Sequence, residues 1–468
     1  MRTKQRMTIC FGIVFAVLIG AIGIAVGAEA PPEEWTRTFG GYAAYSVDQT
    51  TDGGYIVACS VPGTSDYDDD VQLIKTDFEG TEKWTRTFDG NDLDGVWSVQ
   101  QTEDGGYIFA GLTETAGDLD AWLVKVDSSG DEIWSKTFGG TGMDEAYSVQ
   151  ETNAGYIFAG YTYLETNKNA WLVEVDSSGN MLWSQTYGGN GEDMARSVLQ
   201  VAADGFVFGG YTDVAGDQNA WLVKVDSSGN KIWDRTFGGT GSDMVTSVQQ
   251  TADGGYVLTG STQVPAENVN DDVWLVKTGS EGFAEWTKTF GSDDFDLGLS
   301  VQQTADDGYI IAGIVGFGSS KDDAWLIKTD SAGYEEWNKT FGLDDRHDWA
   351  LSVQQTGDGG YIIAGDIYSG ACLIKIAGTP AEEIEYLIKY VSDLDKDDAY
   401  IAALVGKLNN ALHHLAMGHE DMAIQRLEDI IDFIDNQLLP QGRLDDEDAS
   451  YLKEGITDII ALIRISEG

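Results

Sequence analysis

Six aspartates occupy one position of a repeated phrase, each four residues before a serine. Carboxylate oxygens are ligands that calcium prefers, so a ring of such side chains would gather cations or a polyhydroxy ligand. The alternative is that each carboxylate accepts backbone N–H bonds within its own turn. Regular recurrence favours this structural role, and the six residues stay candidates for a binding site. They are Asp94, Asp144, Asp193, Asp243, Asp296 and Asp348, and the first copy has Tyr42 instead.

Other residues that could catalyse a reaction are few. The chain has 4 His, of which only His347 lies in the repeated region. Gly-x-Ser-x-Gly, His-Glu-x-x-His and phosphate-loop motifs are absent from the sequence. Paired carboxylates would suit a carbohydrate-active hydrolase or lyase, but among 78 acidic residues the composition nominates no pair. The sequence therefore favours a non-enzymatic protein without a metal or other cofactor, with that enzyme and a calcium ion as alternatives.

The charge balance excludes whole classes of partner. The chain has 28 Lys and Arg against 78 Asp and Glu, a formal net charge of -50. Binding to nucleic acid requires a basic face, and anionic lipid surfaces attract basic segments, so neither is an expected partner. High net charge keeps a protein soluble and monomeric. We therefore expect a monomer with a solvated acidic surface.

Residues 1–30 have the pattern of an export signal. Basic residues among the first six precede an apolar run from Met7 to Ala28, and Ala28-Glu29-Ala30 has the small residues of a cleavage site. We expect export to the cell surface or the extracellular space. An uncleaved segment would be just long enough to cross a bilayer, and it would be the only contact with a membrane.

The repeated phrase predicts the architecture. A Trp, then Thr-Phe-Gly, Ser-Val-Gln, Gly-Tyr-Ile and Trp-Leu-Val-Lys, returns every 49 to 53 residues. This period, with four short strands in each copy, is typical of propeller blades. The array begins with the last strand of a blade and ends after the third, so we expect strand 34–39 to close the ring. The seven copies begin at Trp35, Trp84, Trp134, Trp183, Trp233, Trp286 and Trp337.

The sequence therefore predicts an all-β seven-bladed β-propeller over residues 31–378. Adjacent strands of a blade are antiparallel, so the Gly-rich turns lie on one face and the crossovers between blades on the other. The loops from the second to the third strand share the crossover face, vary in length, and lie beside the six aspartates. Binding residues concentrate on loops held by a rigid frame. We expect this face to bind a surface protein or a polysaccharide.

Two cysteines fall in the first and the seventh copies. A closed ring would make Cys59 and Cys372 neighbours, and a disulfide between them would be stable in an oxidising compartment. However, each of them replaces a residue of a buried strand. That substitution favours two unpaired core side chains.

The run Leu222–Trp233 resembles quinoprotein-like propeller repeats, as do Asp127–Trp134 and Asp176–Trp183. Quinoprotein dehydrogenases have an adjacent Cys pair over the cofactor, and this sequence has none. A quinone cofactor is therefore not expected. The array as a whole is similar to the Trp-Thr-Lys-Thr-Phe-Gly-Gly repeats of exported archaeal and bacterial proteins. That resemblance implies the fold and export, and it names no ligand.

Residues 379–468 change to a helical period. Leu404, Leu408, Leu412 and Leu415 are spaced for one apolar face, and the whole segment fits a small bundle of four helices. Its pattern from Lys407 to Ile434 resembles the FIMAH domain, a helical module appended to exported hydrolases and surface proteins. The resemblance implies an accessory role outside the cell. Taken together, the sequence predicts an exported, non-enzymatic binding scaffold.

Overall fold

The computed structural model of the chain describes residues 30–466, apart from 64–68, 91–92, 116, 165–166, 202–204, 264–269, 293, 318–321, 344–345, 369, 395–398, 418 and 445. Of the predicted export signal, all but Ala30 lies outside the described residues. Among the helices that are described, none is long and apolar enough to span a bilayer.

Seven four-stranded antiparallel sheets form the blades of a propeller, which confirms the predicted fold. The first strands of the blades are β2 (Ala43–Gln49), β6 (Asp94–Gln101), β10 (Glu145–Thr152), β14 (Asp193–Gln200), β18 (Met244–Gln250), β22 (Phe295–Gln303) and β26 (Trp349–Gln355). The second strands are β3 (Tyr55–Pro62), β7 (Tyr107–Thr115), β11 (Gly155–Leu164), β15 (Phe206–Val214), β19 (Tyr256–Gln263), β23 (Tyr309–Phe317) and β27 (Tyr361–Asp366).

The outer half of each blade is built in the same way. The third strands are β4 (Asp69–Thr76), β8 (Asp118–Val126), β12 (Asn167–Asp176), β16 (Asp217–Val225), β20 (Asp271–Thr278), β24 (Asp323–Thr329) and β28 (Ala371–Ile376). The fourth strands are β1 (Glu33–Thr38), β5 (Glu82–Phe88), β9 (Glu132–Phe138), β13 (Met181–Tyr187), β17 (Lys231–Phe237), β21 (Ala284–Phe290) and β25 (Glu335–Phe341). Blade 1 is therefore β2–β5, and blade 7 combines β26–β28 with β1.

The closing strand joins the two ends of the array. β1 pairs antiparallel with β28, with Trp35 opposite Lys375 and Thr38 opposite Cys372. The strand covers residues 33–38, one position earlier than the sequence indicates. Cys59 and Cys372 are both buried free thiols, and each packs in a different interblade cluster.

The opening Trp of each copy packs against the next blade. The Trp134 ring of β9, for example, is tilted against the Tyr156 ring of β11, with 5.8 Å between ring centroids. The same contact with the aromatic residue that opens or nearly opens the next second strand recurs in all seven copies, at 5.7–6.2 Å. Each blade thus buries apolar surface that it cannot bury alone.

The Ser-Val-Gln phrase joins the first strands around the central channel. The Val backbone N–H of each first strand donates to the Ser hydroxyl oxygen of the preceding blade, at 3.1–3.4 Å, in all seven blades. Two residues on, the backbone N–H donates to the Gln or Asp side chain of the preceding blade at six junctions. The seventh junction has Leu199 at the acceptor position. The motif therefore forms a circle of hydrogen bonds between neighbouring first strands, which we call the hydrogen-bond belt.

A buried Lys of the third strand fixes the hairpin turn between the first two strands. In blade 2 the ammonium of Lys125 lies 3.0 Å from an oxygen of Asp104 and 3.0 Å from the carbonyl of Val126. The same ion pair recurs in four further blades, as Lys75–Asp52, Lys277–Asp253, Lys328–Asp306 and Lys375–Asp358.

Four helices follow the last strand: α1 (Pro380–Leu394), α2 (Ala399–Ala416), α3 (Glu420–Phe433) and α4 (Asp446–Ser466). Thr379 and Glu382 form a capping box, since each side chain accepts the other's backbone N–H, and Pro380 occupies the first helical position. The last turn of α3 continues through a π turn, Ile434–Leu438, and a 3-10 turn, Leu439–Gln441. The helices share one apolar core.

The helical bundle docks on the Gly-rich turns of the propeller. The hydroxyl of Tyr361, in β27, donates to Glu382, and the hydroxyl of Tyr451, in α4, donates to the carbonyl of Gly357. Gly357 lies in the turn that follows β26. The bundle therefore lies on the face opposite the crossovers between blades.

Candidate functional site

The six recurring aspartates are buried, each at most 1 % exposed. One carboxylate oxygen of each accepts a backbone N–H from the crossover into its blade, as Asp144 does from Gly140 at 2.8 Å. The second oxygen of Asp144 accepts the backbone N–H of Tyr163, on the second strand of the same blade, at 3.1 Å. The same crossover bond is formed by Asp94, Asp193, Asp243, Asp296 and Asp348. These contacts are those of turn residues.

A different set of residues faces the channel near the crossover face. Each first strand has a β-bulge at the residue immediately before the Ser of Ser-Val-Gln. A bulge leaves one residue out of the ladder and re-aims its side chain. Consecutive first strands contact one another around a complete circle, so the bulged residues lie around its axis. They are Tyr45, Trp97, Tyr147, Arg196, Thr246, Leu299 and Leu351.

Four of these residues, Tyr45, Trp97, Tyr147 and Arg196, form a continuous row, the aromatic arc. The rings of Tyr45 and Trp97 are 4.9 Å apart at 86°, and those of Trp97 and Tyr147 are 5.9 Å apart. The guanidinium carbon of Arg196 lies 4.2 Å from the Tyr147 ring centroid, which is a cation–π contact. The arc spans blades 1–4, whereas Thr246, Leu299 and Leu351 occupy the other side.

A second layer of polar aromatics supports the arc at blade 3. The hydroxyl of Tyr161 donates to the buried carboxylate of Glu145 at 2.7 Å, and the Lys168 ammonium lies 4.7 Å from the Tyr161 ring centroid. Burial raises the pKa of Tyr147, and Glu145 raises it further although Arg196 opposes the change. The Tyr147 hydroxyl therefore stays protonated at neutral pH.

Two donors in the arc have no hydrogen-bond partner among the described residues. They are the indole N–H of Trp97 and the Nε–H of Arg196, and both nitrogens are buried. A buried donor without a partner costs free energy, about 1–3 kcal/mol. The arc therefore combines aromatic stacking surface with two donors whose hydrogen-bonding capacity no described residue satisfies.

A cleft of about 1020 Å3 separates the propeller from the helical bundle. Its wall includes Lys375, whose ammonium lies 3.0 Å from Asp358 and 3.5 Å from Glu34. Burial raises the pKa of Glu383 to about 9, and repulsion from Asp358 adds to the effect while Lys375 opposes it. Because its charged groups pair with one another, we interpret this cleft as part of the interface between the two domains.

The aromatic arc is not among the sites predicted from the sequence. Alignment of the seven copies gives a signal for it, because the residue before the invariant Ser is aromatic in the first three copies and then changes to Arg, Thr and Leu.

Comparisons with known proteins bear on both parts of the chain. Residues 381–461 match the FIMAH domain family, which confirms the resemblance of the helical segment. Comparison with the curated proteins gives no match.

Several solved propeller structures are similar to this chain at the level of fold. Sqt1 from Chaetomium thermophilum is 11% identical, with 74% of this chain and 98% of that chain covered and a TM-score of 0.45. The Pan2 WD40 domain of Neurospora crassa is 11% identical, with coverage of 72% and 89% and a TM-score of 0.44. The β-propeller domain of the Trilobed protease from Pyrococcus furiosus is 9% identical, with coverage of 72% and 94% and a TM-score of 0.41. The chain is a seven-bladed β-propeller followed by a FIMAH domain.

Proposed function

We propose that the protein is a non-enzymatic binding scaffold, exported to the cell surface or the extracellular space, that binds a polysaccharide or a surface protein at the aromatic arc. The observation that carries the proposal is the row of Tyr45, Trp97, Tyr147 and Arg196 at seven-fold equivalent bulges. Trp, Tyr and Arg are the residue types that dominate binding hot spots. These residues occupy only one side of the ring, and the fold does not require this asymmetry.

The position of the arc supports the same proposal. It lies near the start of the first strands, at the crossover face, whereas the helical bundle contacts the turn after β26 at the other end of those strands. The bundle therefore leaves the crossover face accessible to a ligand. The hydrogen-bond belt holds the bulges rigidly, so little ordering entropy is lost when a ligand binds.

The experiment compares equivalent positions on the two sides of the ring. Trp97→Ala and Tyr147→Ala remove stacking surface from the arc, and Leu299→Ala and Leu351→Ala remove apolar side chains from equivalent positions on the opposite side. The full chain is screened against a panel of acidic and neutral polysaccharides and extracellular protein extracts, and hits are titrated by calorimetry. We expect the arc variants to lose at least about tenfold in affinity, corresponding to ~1.4 kcal/mol or more, and the opposite variants to change it less than about twofold.

Two results would contradict the proposal. Equal losses on both sides of the ring would show that the arc is not the binding surface. Release of shortened products from a bound polysaccharide would identify a carbohydrate-active enzyme instead of a scaffold. Export is tested separately, by fractionating cells that express the full chain and its variant lacking residues 1–30.

A further inference from the structure

Three carboxylates meet at the junction of blades 1 and 2. Asp70 lies at the start of β4, Asp89 follows β5, and Asp94 opens β6. One oxygen from each side chain lies within 4.8 Å of the others. Asp70 and Asp94 are buried, at 8 % and 1 % exposed, whereas Asp89 is exposed at the rim.

Asp89 takes a place that glycine holds in the six other copies. At the next junction that place belongs to Gly139, where a Cβ atom would lie 2.2 Å from an oxygen of Asp120 and 2.5 Å from one of Asp144. Asp120 and Asp144 correspond to Asp70 and Asp94 in the blade register. The junction of blades 1 and 2 thus adds a third carboxylate where the other copies leave out even a methyl group. The glycines are Gly40, Gly139, Gly188, Gly238, Gly291 and Gly342.

A second observation at this junction is independent of the acidic side chains. Thr113, opposite Asp94 in the sheet, is 3 % exposed, and its hydroxyl has no hydrogen-bond partner among the described residues. The equivalent Thr212 and Thr262 donate to Asp193 and Asp243.

The Thr113 hydroxyl is directed into the same space as the Asp94 carboxylate. A Cβ atom on Gly90 would lie 2.2 Å from the Thr113 hydroxyl oxygen and 2.7 Å from an oxygen of Asp94. The two oxygens therefore border one point beside the crossover.

We propose that Asp70, Asp89, Asp94 and the Thr113 hydroxyl form a calcium site that ties blade 1 to blade 2. Three carboxylates this close repel one another, and a divalent cation between them turns that repulsion into attraction. All the donors are oxygens, which calcium takes six to eight at a time at 2.3–2.6 Å, with water completing the shell. The donor set has neither the His nor the Cys that zinc and copper favour.

The experiment measures calcium binding by the full chain after treatment with a chelator. Wild type should bind calcium in a calorimetric titration and melt at least about 2 °C higher in millimolar calcium, because the ion binds only the folded state. Asp89→Gly restores the residue of the other six copies. It should lose the calcium gain and, without calcium, melt no lower than wild type, since the repulsion is relieved.

Two further variants make the result decisive. Asp120→Asn removes the carboxylate equivalent to Asp70 from the next junction, where Gly139 stands in place of Asp89, and it should keep the full calcium gain. Asp89→Asn keeps the side-chain volume and serves if the glycine variant folds poorly. Absence of a calcium gain in wild type, or an undiminished gain in both Asp89 variants, would overturn the proposal.

Discussion

The backbone N–H of Val47 donates to the hydroxyl oxygen of Ser352 at 3.4 Å, although 305 residues separate them in the chain. Across the same seam, the N–H of Gln49 donates to the Gln354 side chain at 2.7 Å, and the Gln49 side chain accepts the N–H of Gly357 at 2.8 Å. The first and last blades are therefore joined twice. The strand β1 closes the outer edge, and the belt of first strands closes the channel wall.

Removing β1 tests how much each of the two closures contributes to the stability of the ring. A chain without residues 31–38 leaves β28 with an unpaired edge and removes the contact of Trp35 with Tyr55. We expect a ring that still assembles through its belt, but a melting temperature lower by more than about 5 °C and faster aggregation. Circular dichroism and light scattering against a chain beginning at residue 30 measure both. A truncated chain that melts with the longer one would show that β1 is dispensable.

The pairing of a buried Lys with an exposed Asp of the hairpin turn predicts a loss of stability in acid. Partial burial works to raise the pKa of Asp253, but hydrogen bonds from Lys277, Thr251 and Gly255 outweigh it and lower the pKa to about 2. A carboxyl whose pKa is lower in the folded state stabilises the protein above its ordinary pKa of 3.8, and this contribution disappears as the pH falls through 2. Asp253→Asn should therefore lower stability at pH 7 and flatten the decline between pH 4 and 2. Denaturant titrations, with the exposed Glu281→Gln as control, test this. A decline as steep as that of wild type would contradict it.

Glu383 predicts the opposite dependence at higher pH. Its folded pKa of about 9 lies above its ordinary value of 4.5, so the folded protein binds a proton that the unfolded chain releases between these values. Stability should therefore decline as the pH rises from about 4.5 to 9. Glu383→Gln should melt higher than wild type at pH 8, by roughly 2–5 °C, and equally at pH 4. Glu454→Gln, an exposed carboxyl in the same cleft, should change neither value. An equal difference at both pH values would show that Glu383 does not titrate in this way.

Asp193, a buried aspartate of a crossover outside the proposed calcium site, predicts a structural effect without a metal effect. Asp193 accepts the N–H of Gly189 at 2.8 Å and the hydroxyl of Thr212. Asp193→Asn replaces one acceptor by a donor and should cost about 1.5–3 kcal/mol. The calcium gain in melting temperature should remain that of wild type. Glu192→Gln, its exposed neighbour, is the control, and a calcium gain lost only in Asp193→Asn would place a cation at this carboxylate.

The fold could be predicted from the sequence because each repeat is one blade, and the contact of every opening Trp with the next blade depends only on that period. The closing strand followed from the phase of the array. The aromatic arc could not be predicted in this way, since it depends on a bulge that turns Trp97 and its equivalents toward the channel. A bulge has no residue signature of its own at these positions. The meeting of Asp70 with Asp89 likewise depends on how a loop of one blade approaches the crossover to the next.

The docking of the helical bundle was also hidden in the sequence. Thr379 and Glu382 form a capping box, for which Thr-x-x-Glu gives a signal. However, the second oxygen of Glu382 binds Tyr361 on the propeller. The sequence periodicity does not predict this hydrogen bond, because it joins two domains that each have their own core.

The chain enters the disc at Pro32 and leaves it at Ala377, and these two residues share a hydrogen bond of 3.1 Å. In mechanical terms, a pull between them acts at the same end of the antiparallel pair β1 and β28. Such a pull separates the ladder one rung at a time, as a zipper opens, instead of shearing all its hydrogen bonds together. A force applied across the blades is instead resisted by all the hydrogen bonds of the circular belt together. The propeller therefore resists forces across its blades and yields more easily where β1 pairs with β28.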